Sequence, residues 1–335
     1  MNRETAKPRV KALALLSGGL DSTLAIKLIL DQGIDVEALN FVSPFCLCGK
    51  GGCGAAETAK KLGVPLKIIS VGEEYLKVVR KPKHGYGRNM NPCIDCRIFM
   101  LMKAKRYAEE TGASFIFTGE VLDERPMSQH FAALKTIENE AELKDEILRP
   151  LSAKLLPETR AEKRGIVNRE KLLGIRGRSR KPQIKLAEKY NIIDYPCPAG
   201  GCLLTYKEFA NKLRDLFTHK KRVSLADVNL LKVGRHFRYG KSKIIVGRNE
   251  TENKILTARR NMNDYFFEVS DCGSPITLLQ GSKTKGAIER AAALTSYYSD
   301  KKESRIHVKF GKKTMDRSII VSASNQAEVN KLRIA

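Results

Sequence analysis

The sequence predicts an α/β fold, a doubly wound parallel sheet followed by a smaller α+β module. Three observations predict it. Apolar strand patterns alternate with amphipathic helix patterns from Val10 to about Thr205. A glycine-rich turn, Ser17-Gly18-Gly19-Leu20-Asp21-Ser22, follows the first apolar run and opens a helix pattern. Beyond about Leu225 the alternation gives way to short strand patterns around one clear helix. The division expected is a tail over 1–9, a nucleotide-type domain over 10–205, a linker helix over 206–224 and a second module over 225–335.

The elements follow in order. "VKALALL" is apolar throughout, as a strand buried on both faces must be. "STLAIKLILDQG" is a helix that ends at Gly33. "DVEALNFV" is a second strand, "AAETAKKLG" a helix and "PLKIISV" a third strand. "CRIFMLMKAKRYAEETG" reads as a long helix with Gly112 as its C-terminal cap. "SFIFTG" is a fourth strand and "EILRPL" a short fifth. Such alternation means parallel strands joined by right-handed crossovers, with ligands beyond the strand C-termini. Residues 157–185 are strongly basic and read as loop, short helix and helix start. The second module has strands in "KIIVGRN", "YFFEVS", "RIHVKF" and "RSIIVSAS", and a helix in "GAIERAAALTSYYS".

Charge narrows the partners. Of 335 residues, 61 are Lys or Arg and 37 Asp or Glu, a formal +24. Roughly +10 falls on the first 205 residues and roughly +14 on the last 130, so the C-terminal third is the denser. A polyanion partner, nucleic acid above all, follows from an excess of this size. "KALALL" is too short for a secretory core, and no apolar run is long enough to span a bilayer. The chain therefore reads as cytoplasmic, and its eight cysteines as something other than disulfide staples. They cluster: Cys46, Cys48 and Cys53; Cys93 and Cys96; Cys197 and Cys202; and Cys272 alone. Clusters point to metal or sulfur chemistry.

The glycine-rich turn is an anion nest. Backbone amides and a helix N-terminus face a phosphate, and Gly18 and Gly19 let the backbone approach closely. It lacks the lysine of the Walker loop. Asp21 would repel a phosphate unless Mg²⁺ stands between them. "SGGLDS" after an apolar strand resembles the PP-loop of the ATP pyrophosphatase superfamily, of the adenine nucleotide alpha hydrolase-like fold. The resemblance implies cleavage of ATP between the α- and β-phosphates, with AMP left on an oxygen of the substrate. It implies ATP contacts at Ser17, Gly18, Gly19, Asp21, Ser22, Phe41, Thr118 and Gly119, the last two from "TGEVLDER". Asp123 matches the family's acidic turn loosely and is the second acidic candidate, catalytic or metal-binding.

Cys93 and Cys96 form a Cys-x2-Cys turn at the start of a long helix, where the helix N-terminus and Arg97 favour thiolate. Alone, such a pair could be zinc, redox or iron–sulfur. Beside a PP-loop it resembles the tRNA thiouridine synthetases, which carry a later cysteine as well. Here "YPCPAGGCLLT" supplies Cys202, with Cys197 in reserve. The resemblance implies tRNA sulfurtransfer with Asp21, Asp123, Cys93 and Cys202 as the reacting set. Three cysteines, Cys93, Cys96 and Cys202, could hold a [4Fe-4S] cluster that keeps one iron open for hydrosulfide. A cysteine persulfide with a resolving thiol, or structural Zn²⁺, are the competing routes. Sulfur is expected from free sulfide or a separate donor such as a cysteine desulfurase, because the THUMP and rhodanese domains of larger 4-thiouridine synthetases are not matched. Dimers are usual among such relatives.

The C-terminal module resembles the NFACT RNA-binding domain through its Gly247-Arg248-Asn249 turn, the aromatic strand before Gly273-Ser274 and the Ala-rich helix ending in Tyr-Ser. On that resemblance Arg235, His236, Arg238, Lys241, Lys243 and Arg248 position RNA phosphates, joined from the basic stretch by Arg176, Arg178 and Arg180. Tyr297 and Tyr298 are expected to pack their helix. Two other functions fit parts of the chain: a PP-loop ligase that adenylates a small molecule, and a non-catalytic RNA- or ribosome-binding protein. The basic tail argues against the first and the intact Ser-Gly-Gly-x-Asp-Ser against the second.

Overall fold

The computed structural model describes residues 10–47, 54–193, 195 and 201–334. The chain divides into two compact units, Met1–Thr205 and Tyr206–Ala335.

The first unit runs β1 (Lys11–Leu15), α1 (Leu20–Leu30), β2 (Asp35–Val42), α2 (Ala55–Leu62), β3 (Leu66–Ser70), α3 (Glu73–Arg80), α4 (Cys93–Thr111), β4 (Phe115–Thr118), α5 (Phe131–Glu140), β5 (Ile147–Leu148), α6 (Arg160–Lys163) and α7 (Lys181–Lys189). Its described strands form a five-stranded parallel sheet in the order β3-β2-β1-β4-β5. Successive residues of β1 serve opposite faces. Ala12 and Ala14 pack with Ala25, Ile26 and Ile29 of α1. Leu13 packs with Ile98, Leu101 and Ala104 of α4 and Ile137 of α5. α1 has a second apolar side, on which Leu20, Leu24 and Leu28 meet Val121, Leu151 and Ala187. Because the order reverses between β1 and β4, their C-terminal ends open a crevice. Gly112, at φ 67°, caps α4 through its amide on Glu109 O and Ala108 O.

The second unit runs α8 (Lys207–His219), α9 (Leu225–Leu231), β6 (Arg235–Tyr239), β7 (Ser242–Val246), α10 (Glu250–Ala258), β8 (Tyr265–Val269), β9 (Thr277–Gly281), α11 (Lys285–Tyr297), β10 (Ile306–Gly311), β11 (Arg317–Val321) and α12 (Gln326–Leu332). Its strands form an antiparallel sheet in the order β11-β10-β8-β9-β7-β6. The Ala-rich face of α11 (Ala287, Ala291, Ala292) lies on one face, against Ile244, Phe267 and Leu279. Leu230 and Leu256, from α9 and α10, cover the other with Ile245, Phe266 and Leu278. β7 is therefore buried along its whole length. Tyr297 and Tyr298 flank this core, their rings 4.8 Å apart.

Several of these elements, α3, α5, α10, β6 and β9 among them, have too short or too polar a pattern to stand out in the sequence. The stretch read as a linker holds α8, which is integral to the second unit. It buries Phe209, Leu213 and Leu216 and pairs Asp215 with Arg238 of β6. Among the described residues no helix is long and apolar enough to cross a membrane.

Candidate active site

The glycine-rich turn occupies the end of β1 at the crevice. Gly18 sits at φ 79°, a conformation that disfavours any side chain. The turn is tied to itself. Ser22 Oγ and Thr23 Oγ1 both donate to Gly19 O, at 2.9 and 3.0 Å, and Ser17 N donates to Ser22 Oγ at 3.3 Å. Gly119, just beyond β4, packs directly on it. A Cβ there would lie 2.4 Å from Ser22 N and 2.5 Å from Ser22 Cα, so only glycine fits. Thr118 is buried beside it and donates to Glu120 Oε2. Ser17, Asp21, Ser22, Thr118 and Gly119 line one small cleft with Arg97, Glu120, Glu124 and Arg125.

Asp21 is held on one side only. Arg180 Nη2 donates to its Oδ2 at 3.3 Å, while Oδ1 is buried with no hydrogen-bond partner. Burial raises its pKa from the ordinary carboxylate value, against the pull of Arg180 and Arg125. An orphaned carboxylate oxygen over a phosphate nest suits Mg²⁺, a hard cation that takes one or two carboxylates and keeps phosphate oxygens. Glu120 differs. Burial pushes its carboxyl up, yet Arg97 and Arg149 outweigh burial and the pKa is lowered. Arg149 joins Glu120 at 3.1 Å and also binds Glu138, a charge network in which Arg149 and Glu120 are buried and Glu138 is half-buried.

Behind the turn lies a second cavity of about 230 Å³. Phe41, Asn40 and Ser43 from β2 and its end, Cys93 and Cys96 from α4, and Cys46 and Cys202 share its wall. Leu15, Ser17, Arg97 and Arg125 line this chamber and the small cleft alike, so the two spaces adjoin. Cys96 accepts a hydrogen bond from the buried Tyr75 hydroxyl at 3.0 Å. Burial raises the thiol pKa of Cys93 and Cys96, and pushes that of Cys202 up to about 12. This reverses the expectation of a thiolate favoured by the helix start and Arg97. At Cys93 the pull of Arg97 and Arg125 is real but loses to burial. Four thiols on one wall, with no acid among the lining side chains, form a soft donor set of the kind an iron–sulfur cluster takes. Among the described residues no group of three or more His, Cys, Asp or Glu is arranged to hold a single metal ion. Cys48, Cys53 and Cys197 lie outside the described residues.

Some residues prominent in the sequence stand elsewhere. Asp123, at φ 61°, accepts from Arg176 Nε at 2.6 Å and is absent from the lining of both cavities; its neighbour Glu124 takes that place. Arg180 points to Asp21, and Arg178 is exposed. In the second unit Arg238 is bound to Asp215 and Arg248 to Glu252. Arg235 stacks over Tyr298 at 4.4 Å and donates to Gly247 O. His236 and Lys243 are buried. The Gly247-Arg248-Asn249 turn is a helix cap: Asn249 Oδ1 accepts from Glu252 N, and a Cβ at Gly247 would strike Asn253. Other cations of this unit lie against aromatic rings of β8. Lys283, Lys312 and Arg317 surround the Tyr265 ring at 5.7, 5.9 and 5.8 Å, and Arg260 lies 4.4 Å over Phe266.

Sequence reasoning passed over Tyr75, Asn40, Glu120 and Arg125. Asn40 Nδ2 donates to Leu16 O at 2.7 Å and so fixes the mouth between β1 and β2. A polar residue inside the otherwise apolar end of β2 was its only signal.

Residues 8–185 match the family model described as thiamine biosynthesis protein (ThiI), and residues 234–333 match the NFACT protein RNA binding domain. The tRNA-specific 2-thiouridylase MnmA of Psychromonas ingrahamii is 30% identical over 147 residues, 40% of this chain and 40% of that protein. Its counterpart in Syntrophotalea carbinolica is 34% identical over 120 residues, 32% of this chain and 33% of that protein. The matched region thus spans well under half the length of these relatives. Among solved structures, the U34-tRNA thiolase NcsA from Methanococcus maripaludis with its [4Fe-4S] cluster is similar at 19% identity and a TM-score of 0.34, over 69% of this chain and 72% of that one. A 4-thiouridine synthetase–RNA complex with bound ATP is similar at 24% identity and a TM-score of 0.35, over 67% and 52%.

Proposed function

Because this chain belongs to the thiamine biosynthesis protein (ThiI) family and carries an NFACT protein RNA binding domain, we propose that it is an ATP-dependent tRNA sulfurtransferase. The reaction is activation of a uridine carbonyl oxygen as its adenylate with release of pyrophosphate, then replacement of AMP by sulfur to give 2-thio- or 4-thiouridine. One observation carries this reading: the phosphate-type cleft and the thiol chamber share Leu15, Ser17, Arg97 and Arg125, so an activated carbon in one is beside sulfur in the other.

The residues divide the work. The amides of Gly18 and Gly19 and the start of α1 receive the phosphates. Asp21 would hold Mg²⁺, which neutralises charge on the departing pyrophosphate, while Arg180 keeps the carboxylate oriented. Arg125, on the wall of both cavities, meets negative charge that builds on the phosphate. Glu120, itself fixed by Arg149, holds Arg97 at the junction. A [4Fe-4S] cluster would be held by Cys93, Cys96 and Cys202 and would supply an iron with an exchangeable position for sulfide. Those thiols are protonated by burial, so binding it must expel their protons. Tyr75 orients the Cys96 sulfur. On the second unit, the exposed Lys312 and Arg317, with Arg260 and Lys283 beside them, would face RNA phosphates.

The test is nucleoside mass spectrometry of unmodified tRNA incubated anaerobically with the iron-loaded protein, ATP, Mg²⁺ and sulfide. A thiouridine peak that Asp21→Ala abolishes is the expected result, and its retention time tells 2-thio from 4-thio. AMP without thiouridine would transfer the activity to another acceptor, as in a small-molecule ligase. Neither AMP nor thiouridine, with tRNA binding intact, would leave an RNA-binding protein.

A further inference from the structure

Cys46 is the thiol of the chamber that the sulfurtransferase reading leaves without a task. It stands just after β2, where its sulfur accepts from Ser43 N and faces Ser43 Oγ, each at 3.4 Å. Across from it is Cys202. The two form an isolated antiparallel bridge, flanked by Leu47 N donating to Gly201 O at 3.1 Å and Leu203 N donating to Phe45 O at 2.8 Å. Both hydrogen bonds belong to the neighbours, so Cys46 and Cys202 are a non-hydrogen-bonded pair. Such pairs hold their Cα atoms about 4.5 Å apart with side chains on the same face. That lies within the window of about 4.4–6.8 Å in which two cysteines can be bridged. Both are half-buried thiols on the wall of the same chamber.

We propose that Cys46 and Cys202 form a reversible cross-strand disulfide, a latch that withdraws Cys202 from the sulfur-handling set while the chamber holds no iron. Closure is thiol–disulfide exchange with a low-molecular-weight disulfide. One thiolate of the pair attacks the oxidant's S–S bond, forming a mixed disulfide and releasing one thiol. The second thiolate attacks the protein sulfur of that mixed disulfide and releases the other thiol. Two electrons pass from the pair to the oxidant, and a dithiol reductant returns them. In the latched form Cys93 and Cys96 remain as the only described thiols of the chamber, too few to hold the cluster. The consequence for iron rests on the proposed role of Cys202; the disulfide itself does not.

The full-length, iron-free protein is equilibrated anaerobically in buffers of reduced and oxidised dithiothreitol, alkylated, digested and mapped by mass spectrometry. The expected product is a Cys46–Cys202 linkage that forms and breaks reversibly. Cys202 recovered as a free thiol, or joined to Cys93, Cys96 or any other cysteine, overturns the proposal. Iron and sulfide are then offered to both forms, and cluster uptake is read from visible absorbance and iron content. The latched wild type should take up no cluster until reduced, whereas Cys46→Ser and Cys46→Ala load after the same oxidation. Equal loading of latched and reduced wild type overturns the latch. A reversible linkage in a protein that never loads, even reduced, upholds the disulfide site and defeats the cluster reading instead.

Discussion

In the first unit Asp21 keeps a carboxylate oxygen without a partner and Arg125 reaches a cleft, whereas in the second Arg238 and Arg248 are each closed on a carboxylate of their own fold. The same charged residue types thus serve two ends. A charge that the fold has already satisfied has little left for a ligand. A charge held unsatisfied at the mouth of a sheet is costly unless a ligand completes it. What separates the two units is where the partners lie, and substitutions can break that distinction in either direction.

The largest effect is expected at Asp21. Asp21→Asn keeps the shape and removes the charge that would hold Mg²⁺, which is worth several kcal/mol of transition-state stabilisation. AMP formation should fall on the order of 10³-fold, with folding unchanged by circular dichroism. Retained turnover would place the metal elsewhere in the cleft. Cys202→Ser should separate the two halves of the reaction, leaving AMP formation within about tenfold of wild type while thiouridine disappears from nucleoside spectra.

Next comes the contrast between Arg149 and Arg248. Arg149 is fully buried between Glu120 and Glu138, so Arg149→Ala leaves carboxylates uncompensated and should cost about 3–5 kcal/mol of stability. Arg248→Ala removes an ion pair whose guanidinium is 47% exposed, and should cost no more than about 1 kcal/mol. Urea denaturation of both variants makes the comparison. Equal losses would mean that burial does not govern these pairs. On RNA the order reverses. Lys312→Glu with Arg317→Glu should weaken tRNA binding and reduce the slope of log affinity against log salt by about one per lost phosphate contact. Arg248→Ala should leave both unchanged, as fluorescence anisotropy with labelled tRNA would read.

The physical reason for these differences also explains which parts were legible in the sequence. β1, β2, β4 and α4 were readable because burial on two faces demands long apolar runs and strict helical spacing. The PP-loop turn and the Cys93–Cys96 pair were readable because phosphates and sulfur tolerate few residue types at those spacings. The pairing of Arg238 and Arg248 was not legible because net charge does not record partners, and Asp215 and Glu252 come from other elements or from the next helical turn. The pairing of Asp123 with Arg176 was not legible either, because sequence does not display the left-handed φ of 61° at that turn. Cys46 could not be joined to Cys202, since their contact crosses more than 150 residues and rests on two backbone hydrogen bonds. Tyr75 gave no signal because α3, which carries it, is too short and too polar to stand out in the sequence.

The smallest expected effect sharpens the comparison within the second unit. His236 is fully buried, its Nε2 is 2.8 Å from Val233 O, and its Nδ1 has no hydrogen-bond partner. Burial, then the positive charges of Lys243 and Lys212, hold its pKa well below the usual 6.5. The unfolded chain takes up this proton near 6.5 and the folded chain refuses it. Below that pH the unfolded state binds more protons, so stability falls as pH drops, by up to about 1.4 kcal/mol per pH unit. The loss continues until the depressed folded value is reached. His236→Gln keeps a donor for Val233 O without a titrating group, and should flatten the pH dependence of unfolding between about pH 6.5 and 5 relative to wild type. Parallel curves for the two proteins would mean that the imidazole takes up its proton as readily in the fold as in the unfolded chain, so that burial and the neighbouring lysines do not govern it.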